Sequence, residues 1–353
     1  MPHSAHKKIG VIGLGIIGRG VTENLRRKGF QVFVWNRTPR PVPNFVGSPA
    51  ELATICDYIQ IFVADDQALL ETVRHLCKSL SPKHLVLAHS TVAPDSMRAA
   101  AAIVEKCEAR FVEAPFTGSK MAAEKGELVY YVAGDEGALR DARSILEASG
   151  KEVIEIGKIG QATVIKIATN MVTAASVQAT AEALALVRAS GLPLEKFVEA
   201  MQSNASHSTT LAMKIPKMIQ GDFATHFSVK HMLKDVRIAN QLGSSHDLEL
   251  AVTATARDQL LEQIEQGYAD DDYSAVARNY LPDEKTQMPD EQAQITAGEE
   301  ATSRTTRIPD AGPTAATSWS EELTEQAQLR RGFLRQLVRR GRQLRKHSQV
   351  ASP

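Results

Sequence analysis

Between residue 9 and about residue 156, short β-branched and aromatic runs recur at 9–12, 31–35, 58–63, 85–88, 110–113, 129–133 and 153–156, and amphipathic stretches such as 18–28 and 66–80 separate several of them. Apolar runs alternating with helical periodicity at this spacing predict βαβ units around a mostly parallel sheet, an α/β Rossmann-type doubly wound architecture. A ligand is expected at the carboxyl ends of its strands. After Gly160 the strand pattern stops. Residues 161 to about 281 read as successive helices, with breaks near Gly191-Leu192-Pro193, Gly221-Asp222 and Gly243. The first, 161–190, is apolar on most faces, which predicts a buried spine. These patterns divide the chain into a Rossmann domain (1–160), an all-α domain (161–282) and a remainder (283–353), with no internal repeat.

Composition narrows the picture. At 353 residues the chain has room for about two domains, and 43% hydrophobic with 23% charged residues exclude wholesale disorder, collagen and coiled coil. Forty-one basic residues balance forty-one acidic ones, so the whole chain lacks the excess of a dedicated nucleic-acid binder. The three cysteines, Cys56, Cys77 and Cys107, form no CxxC and suit packing in a reducing cytosol better than disulfides or zinc. The N-terminal segment is broken by Gly13, Gly15 and Gly18 rather than forming a signal peptide, and no run reaches the roughly 18 apolar residues of a membrane span. A cytoplasmic protein is expected, with no metal site and no membrane or nucleic-acid partner for its core.

The remainder splits in two. Residues 283–325 hold ten acidic and three basic residues and read as a disordered polar linker. Residues 329–347 hold eight Arg or Lys and no acid, and Phe333, Leu334, Leu337, Val338 and Leu344 fall near helical spacing. This is a candidate basic amphipathic helix for anionic lipid, RNA or the acidic linker, or else a solvated tail.

The sharpest motif is Gly13-Leu14-Gly15-Ile16-Ile17-Gly18, between the first strand and the first helix. Its three glycines permit in turn a tight turn, approach of backbone to a pyrophosphate, and close packing of helix on strand. The free N–H groups and partial positive charge of the helix start suit phosphate. The second strand ends in Asn36-Arg37-Thr38. NAD sites usually place a carboxylate there, whereas the Arg37 guanidinium suits a 2′-phosphate, aided by Thr38 and the Asn36 amide. NADP(H) is therefore preferred, with NAD(H) possible; alternatively Arg37 caps a turn before Pro39.

In the apolar spine, Lys166, Thr169, Asn170 and Thr173 fall at i, i+3, i+4 and i+7 and make one polar stripe. An ammonium buried there has a lowered pKa, as a general acid or base near neutral pH requires, unless a structural partner holds it. Phe116-Thr117-Gly118-Ser119 follows a strand and offers hydroxyl and N–H groups for a small carboxylate. His89-Ser90-Thr91 ends another strand and adds Thr91 to the same rim, and Phe227 through Asp235 places Lys234 and Asp235 on an amphipathic helix.

In this order, over residues 8 to about 281, these segments resemble the β-hydroxyacid dehydrogenase family, which includes 3-hydroxyisobutyrate dehydrogenase, tartronate semialdehyde reductase and the NADPH-dependent glyoxylate/succinic semialdehyde reductases. Trp35-Asn36-Arg37-Thr38 and Lys230-His231-Met232-x-Lys234-Asp235 look most like the last branch. The resemblance implies NADPH-dependent reduction of a small aldehyde acid, with Lys166 giving a proton to the carbonyl oxygen and Asn170 bonding the substrate. It places Thr91, Thr117, Gly118, Ser119, Phe227 and Asp235 on the substrate, a small carboxylate-bearing carbonyl or hydroxy acid. It places Gly13, Gly15, Ile16, Ile17, Gly18, Asn36, Arg37, Thr38, Val63, Thr91 and Lys234 on the cofactor. A homodimer or homotetramer through the helical domain is also implied, as are 3-hydroxy acid oxidation or imine reduction as other chemistries of the fold. A non-catalytic dinucleotide-binding protein whose basic tail binds nucleic acid or membrane is the alternative of another class. Three features depart from the family: Thr117 for the usual serine, the proline-rich 39–43 stretch that makes Arg40 a second candidate for the 2′-phosphate, and everything from Pro282 on.

Overall fold

The computed structural model describes residues 7–281, so the polar linker and the candidate basic helix lie outside the described residues. An eight-stranded sheet forms the first half. Its elements run β1 (Lys8–Ile12), α1 (Ile16–Arg27), β2 (Gln31–Trp35), α2 (Pro49–Ile55), β3 (Tyr58–Ile61), α3 (Asp66–Leu76), β4 (Leu85–Ala88), α4 (Pro94–Glu105), β5 (Arg110–Glu113), β6 (Phe116–Thr117), α5 (Lys120–Lys125), β7 (Leu128–Gly134), α6 (Glu136–Leu146) and β8 (Gly150–Gly157). The strand order is β2-β1-β3-β4-β5-β7-β6, with β8 pairing β7. Strands β1 to β5 are parallel to one another, and β7 runs antiparallel to β5 and β6.

Both faces of the sheet are covered, so its strands bury successive residues on opposite sides. Leu85 and Leu87 of β4 join Ile9, Val11, Val32 and Val34 in one core, and Val86 and Ala88 join Ile12, Ile59 and Ile61 in the other. Each fully buried aliphatic side chain contributes roughly 1.5–3 kcal/mol, so a one-residue slip in β4 is strongly disfavoured. Because β1 sits between β2 and β3, the connections diverge at β1/β3 and leave a crevice above their carboxyl ends, where such sheets bind ligands.

The second half is helical: α7 (Gln161–Ala189), α8 (Leu194–Gln202), α9 (Thr209–Gln220), α10 (Val229–Ser245), α11 (Ala251–Glu265) and a 3-10 helix at Tyr273–Asn279. Ala174, Val177, Ala181 and Leu184 of α7 pack on Leu211, Ile215, Val236 and Leu260. Two expectations need correction. Helix α7 is not buried all round: Val172 is 68% and Leu186 69% exposed, so only one stripe faces the helical core. Gly243 does not break a helix but lies in the last turn of α10, where Leu250 fills the space that a side chain would take. Among the described residues no helix is long and apolar enough to cross a membrane.

Candidate active site

The start of α7 is built from β5. Glu113, fully buried at the strand end, accepts backbone N–H bonds from Gly160 and Thr163, each at 2.5 Å. A carboxylate at a helix N-terminus satisfies otherwise orphaned donors and complements the dipole. It fixes the register in which Lys166 leaves the sheet.

From Lys166 a chain of hydrogen bonds crosses the molecule. Its Nζ donates to Asn170 Oδ1 at 2.8 Å, Asn170 Nδ2 donates to Asp235 Oδ2 at 2.6 Å, and Asp235 Oδ1 accepts from Lys234 Nζ at 2.7 Å. Lys234 also donates to the carbonyl oxygen of Thr91 beyond β4, which ties α10 to the sheet. Asp235 is 2% exposed. Burial pushes the Lys166 ammonium down to about 8, with the Asp235 carboxylate opposing the shift and Lys234 adding to it. Thr169 and Thr173 bond backbone carbonyls within α7, so only Lys166 and Asn170 of the stripe point their polar groups into the site.

Next to this chain lies a cavity of about 550 Å³. Gly15, Ile16, Ile17 and Gly18 form one wall, Val63, Ser90 and Thr91 another, and Phe227, Lys234 and Asp235 the helical side. Nine of the residues expected from sequence thus meet at one cavity. Gly13 stands behind the loop, while Lys166 and Asn170 join the cavity through Asp235. Asn36, Arg37 and Thr38 lie outside its lining, and so do Thr117, Gly118 and Ser119, although Phe116 beside them belongs to it. Gly118 has φ +130°, and a side chain there would press on Leu128.

The glycine loop fits a dinucleotide. Gly13 has φ +95°, and a Cβ there would collide with the carbonyl oxygen of Phe62; one at Gly18 would collide with Gly13. A Cβ at Gly15 would meet no protein atom within 4 Å, so that backbone is bare toward the cavity. Asn36 Oδ1 accepts from Leu14 N at 2.9 Å and its Nδ2 donates to Thr38 O at 2.8 Å, so its amide braces the loops. Arg37 is exposed, and its guanidinium has no partner among the described residues. Among the same residues no three metal-ligating side chains cluster.

Several contributors were not singled out by sequence. Asp272, fully buried, accepts from Lys214 Nζ at 2.6 Å and from the backbone N–H groups of His226 and Phe227 at 3.0 and 3.2 Å, which holds Phe227 at the cavity. His89 lies at the cavity floor, stacked on Phe62 with centroids 4.3 Å apart. Glu113, a lone acid closing the apolar run of Arg-Phe-Val-Glu, was an available signal, whereas Asp272 ends the acidic run Asp270-Asp271-Asp272 and does not stand out within it.

Comparisons with known proteins agree with this fold. The NAD-binding domain of 6-phosphogluconate dehydrogenase matches residues 8–157, and the NAD-binding domain of NADP-dependent 3-hydroxyisobutyrate dehydrogenase matches residues 160–280. The chain is 31% identical over 287 residues to the cytokine-like nuclear factor N-PAC of Xenopus tropicalis, across 78% of this chain and 53% of that protein. It thus spans about half the length of that relative. It is 30% identical to glyoxylate/succinic semialdehyde reductase 1 of Arabidopsis thaliana, across 76% of this chain and 96% of the reductase. A solved 3-hydroxyisobutyrate dehydrogenase from Salmonella typhimurium superposes with a TM-score of 0.71 at 22% identity, across 78% of this chain and all (100%) of that one. With both halves of the chain matched and a full-length reductase aligned, the chain belongs to the β-hydroxyacid dehydrogenase family of NAD(P)-dependent oxidoreductases.

Proposed function

We propose that the protein is an NADPH-dependent reductase of a small aldehyde acid, of the glyoxylate or succinic semialdehyde type. The observation that carries this reading is Lys166, lowered to about 8 and held by Asn170 beside a cavity whose wall is a glycine loop with a bare Gly15 backbone. The similarity to the Arabidopsis thaliana reductase supports the substrate class.

Residues 1–160 form the cofactor domain in this reading. The start of α1 holds the pyrophosphate, with Gly13, Gly15, Ile16, Ile17 and Gly18 as its wall and Val63, Thr91 and Lys234 beside the nicotinamide half. Arg37 and Thr38, with Asn36 bracing the turn, face the 2′-phosphate, which the absence of a carboxylate there favours. When bound, reduced nicotinamide supplies the hydride. Thr117, Gly118 and Ser119 hold the substrate carboxylate and so orient the carbonyl. Lys166 gives its proton to the carbonyl oxygen as negative charge develops there, and Asn170 keeps the ammonium aimed. Phe227 and Asp235 close the helical side against water.

Residues 161–282 serve as the substrate and dimerisation domain; the exposed Val172 and Leu186 of α7 support assembly into a dimer or tetramer. Following oxidation of NADPH, and separately of NADH, across a panel of semialdehydes, oxo acids and a cyclic imine tests the reading. Fast turnover of NADPH with a short aldehyde acid is expected. Activity confined to 3-hydroxy acid oxidation or to imines would replace it, and binding without any turnover would favour a non-catalytic dinucleotide-binding role.

A further inference from the structure

By sequence the three cysteines read as packing residues, but the fold brings two of them together. Cys77 closes α3, and Cys107 lies two residues beyond the end of α4. The two helices share one core, in which Val73 and Leu76 of α3 meet Met97 and Val104 of α4. The Cys107 thiol donates to the carbonyl oxygen of Ile103, one helical turn back, with Sγ at 3.5 Å. The Cys77 thiol reaches across from α3 to the same oxygen at 3.3 Å. Cys107 Sγ also lies 4.0 Å from the Cys77 carbonyl oxygen, so each sulfur sits against the other residue. Burial, followed by hydrogen bonding and charge from the Cys107 thiol, pushes Cys77 up to about 12.

Access differs in the same direction. Cys77 and Cys107 are half-buried, whereas Cys56 is fully buried. A thiol is a weak donor, so turning one sulfur away from Ile103 toward the other costs little. We propose that Cys77 and Cys107 are a redox site, closing to a reversible disulfide under a hydroperoxide and so clamping the C-terminal ends of α3 and α4 together. One sulfur attacks the peroxide, the O–O bond breaks, and a sulfenic acid forms with release of water or an alcohol. The second sulfur displaces the sulfenic hydroxyl, which leaves as water with the second thiol proton. The two thiols give up two electrons and two protons, and the hydroperoxide takes both. This site is independent of the dinucleotide reading.

The test treats the folded protein with hydrogen peroxide, alkylates the remaining thiols in denaturant, and maps the digest by mass spectrometry. The expected product is a peptide pair joined through Cys77 and Cys107, lighter by two hydrogens than the two free peptides, with Cys56 alkylated. Dithiothreitol should return all three cysteines to the alkylated form. Cys107→Ser, treated alike, should yield no joined pair. Three free thiols after treatment, oxidation of single cysteines without a link, or a link through Cys56 or to a second chain overturns the proposal. The wild-type map decides the question by itself if the variant does not fold.

Discussion

Asn170 on α7 and Asp235 on α10 are joined at 2.6 Å, and because the other end of the same amide accepts from Lys166 at 2.8 Å, the ammonium is coupled to a carboxylate it does not touch. This arrangement keeps the lysine charged enough to give up a proton while burial lowers its affinity for it. Asn170→Ala removes the acceptor of one buried group and the donor of another. A loss of about 1–3 kcal/mol is expected, or roughly 5- to 150-fold in kcat/KM. The ammonium loses a stabilising partner as well, so the alkaline limb of the pH–rate profile should move to lower pH. An unmoved limb would show that Asn170 does not hold the lysine.

The wild-type pH dependence has a definite sign. Reduction requires the protonated amine, so kcat/KM should be level below about pH 8 and fall about tenfold per unit above it. Oxidation of the hydroxy acid requires the neutral amine and should rise through the same pH. Initial rates in both directions between pH 6 and 10 check this.

Gly15 and Gly18 sit three residues apart but should fail in different ways. A methyl at Gly18 has nowhere to go except into the Gly13 carbonyl, so Gly18→Ala should cost about 1–3 kcal/mol or more of stability. A methyl at Gly15 meets only open cavity, and Gly15 has φ −67°, so Gly15→Ala should melt near the wild-type temperature yet lose dinucleotide affinity. Calorimetric melting and NADPH titration on both variants separate the two roles.

Much of this was legible from sequence because it is local. The glycine loop, the alternating strands of a two-faced sheet and the i, i+4 pairing of Lys166 with Asn170 depend on residues close in the chain. The antiparallel two-residue β6 exists only through its pairing with β7, and the Glu113 bonds to Gly160 and Thr163, the Asp272 bonds to His226 and Phe227 and the Lys234 contact to Thr91 are set by tertiary packing across 45 to 143 positions, which periodicity does not encode. Gly243 looked like a helix end because glycine usually marks one; the close approach of Leu250 is what calls for it. The apolar α7 looked fully buried because hydropathy does not tell a core from an uncovered face.

Cofactor choice is expected to follow Arg37. An exposed guanidinium with no partner among the described residues has little structural role there, so Arg37→Ala should leave stability unchanged. A hydrogen bond to a charged group contributes about 1.5–3 kcal/mol, so NADPH should bind roughly 10- to 100-fold more weakly while NADH binding changes little. Equal losses for both cofactors would place the 2′-phosphate elsewhere.

The central claim concerns Lys166 alone, and the most direct measurement is turnover of Lys166→Ala at saturating NADPH and semialdehyde, alongside its NADPH dissociation constant. Loss of about 10²- to 10⁴-fold in kcat, with the dissociation constant within about twofold of the wild-type value, is predicted for removal of a general acid. Turnover within about threefold of the wild-type rate would contradict it.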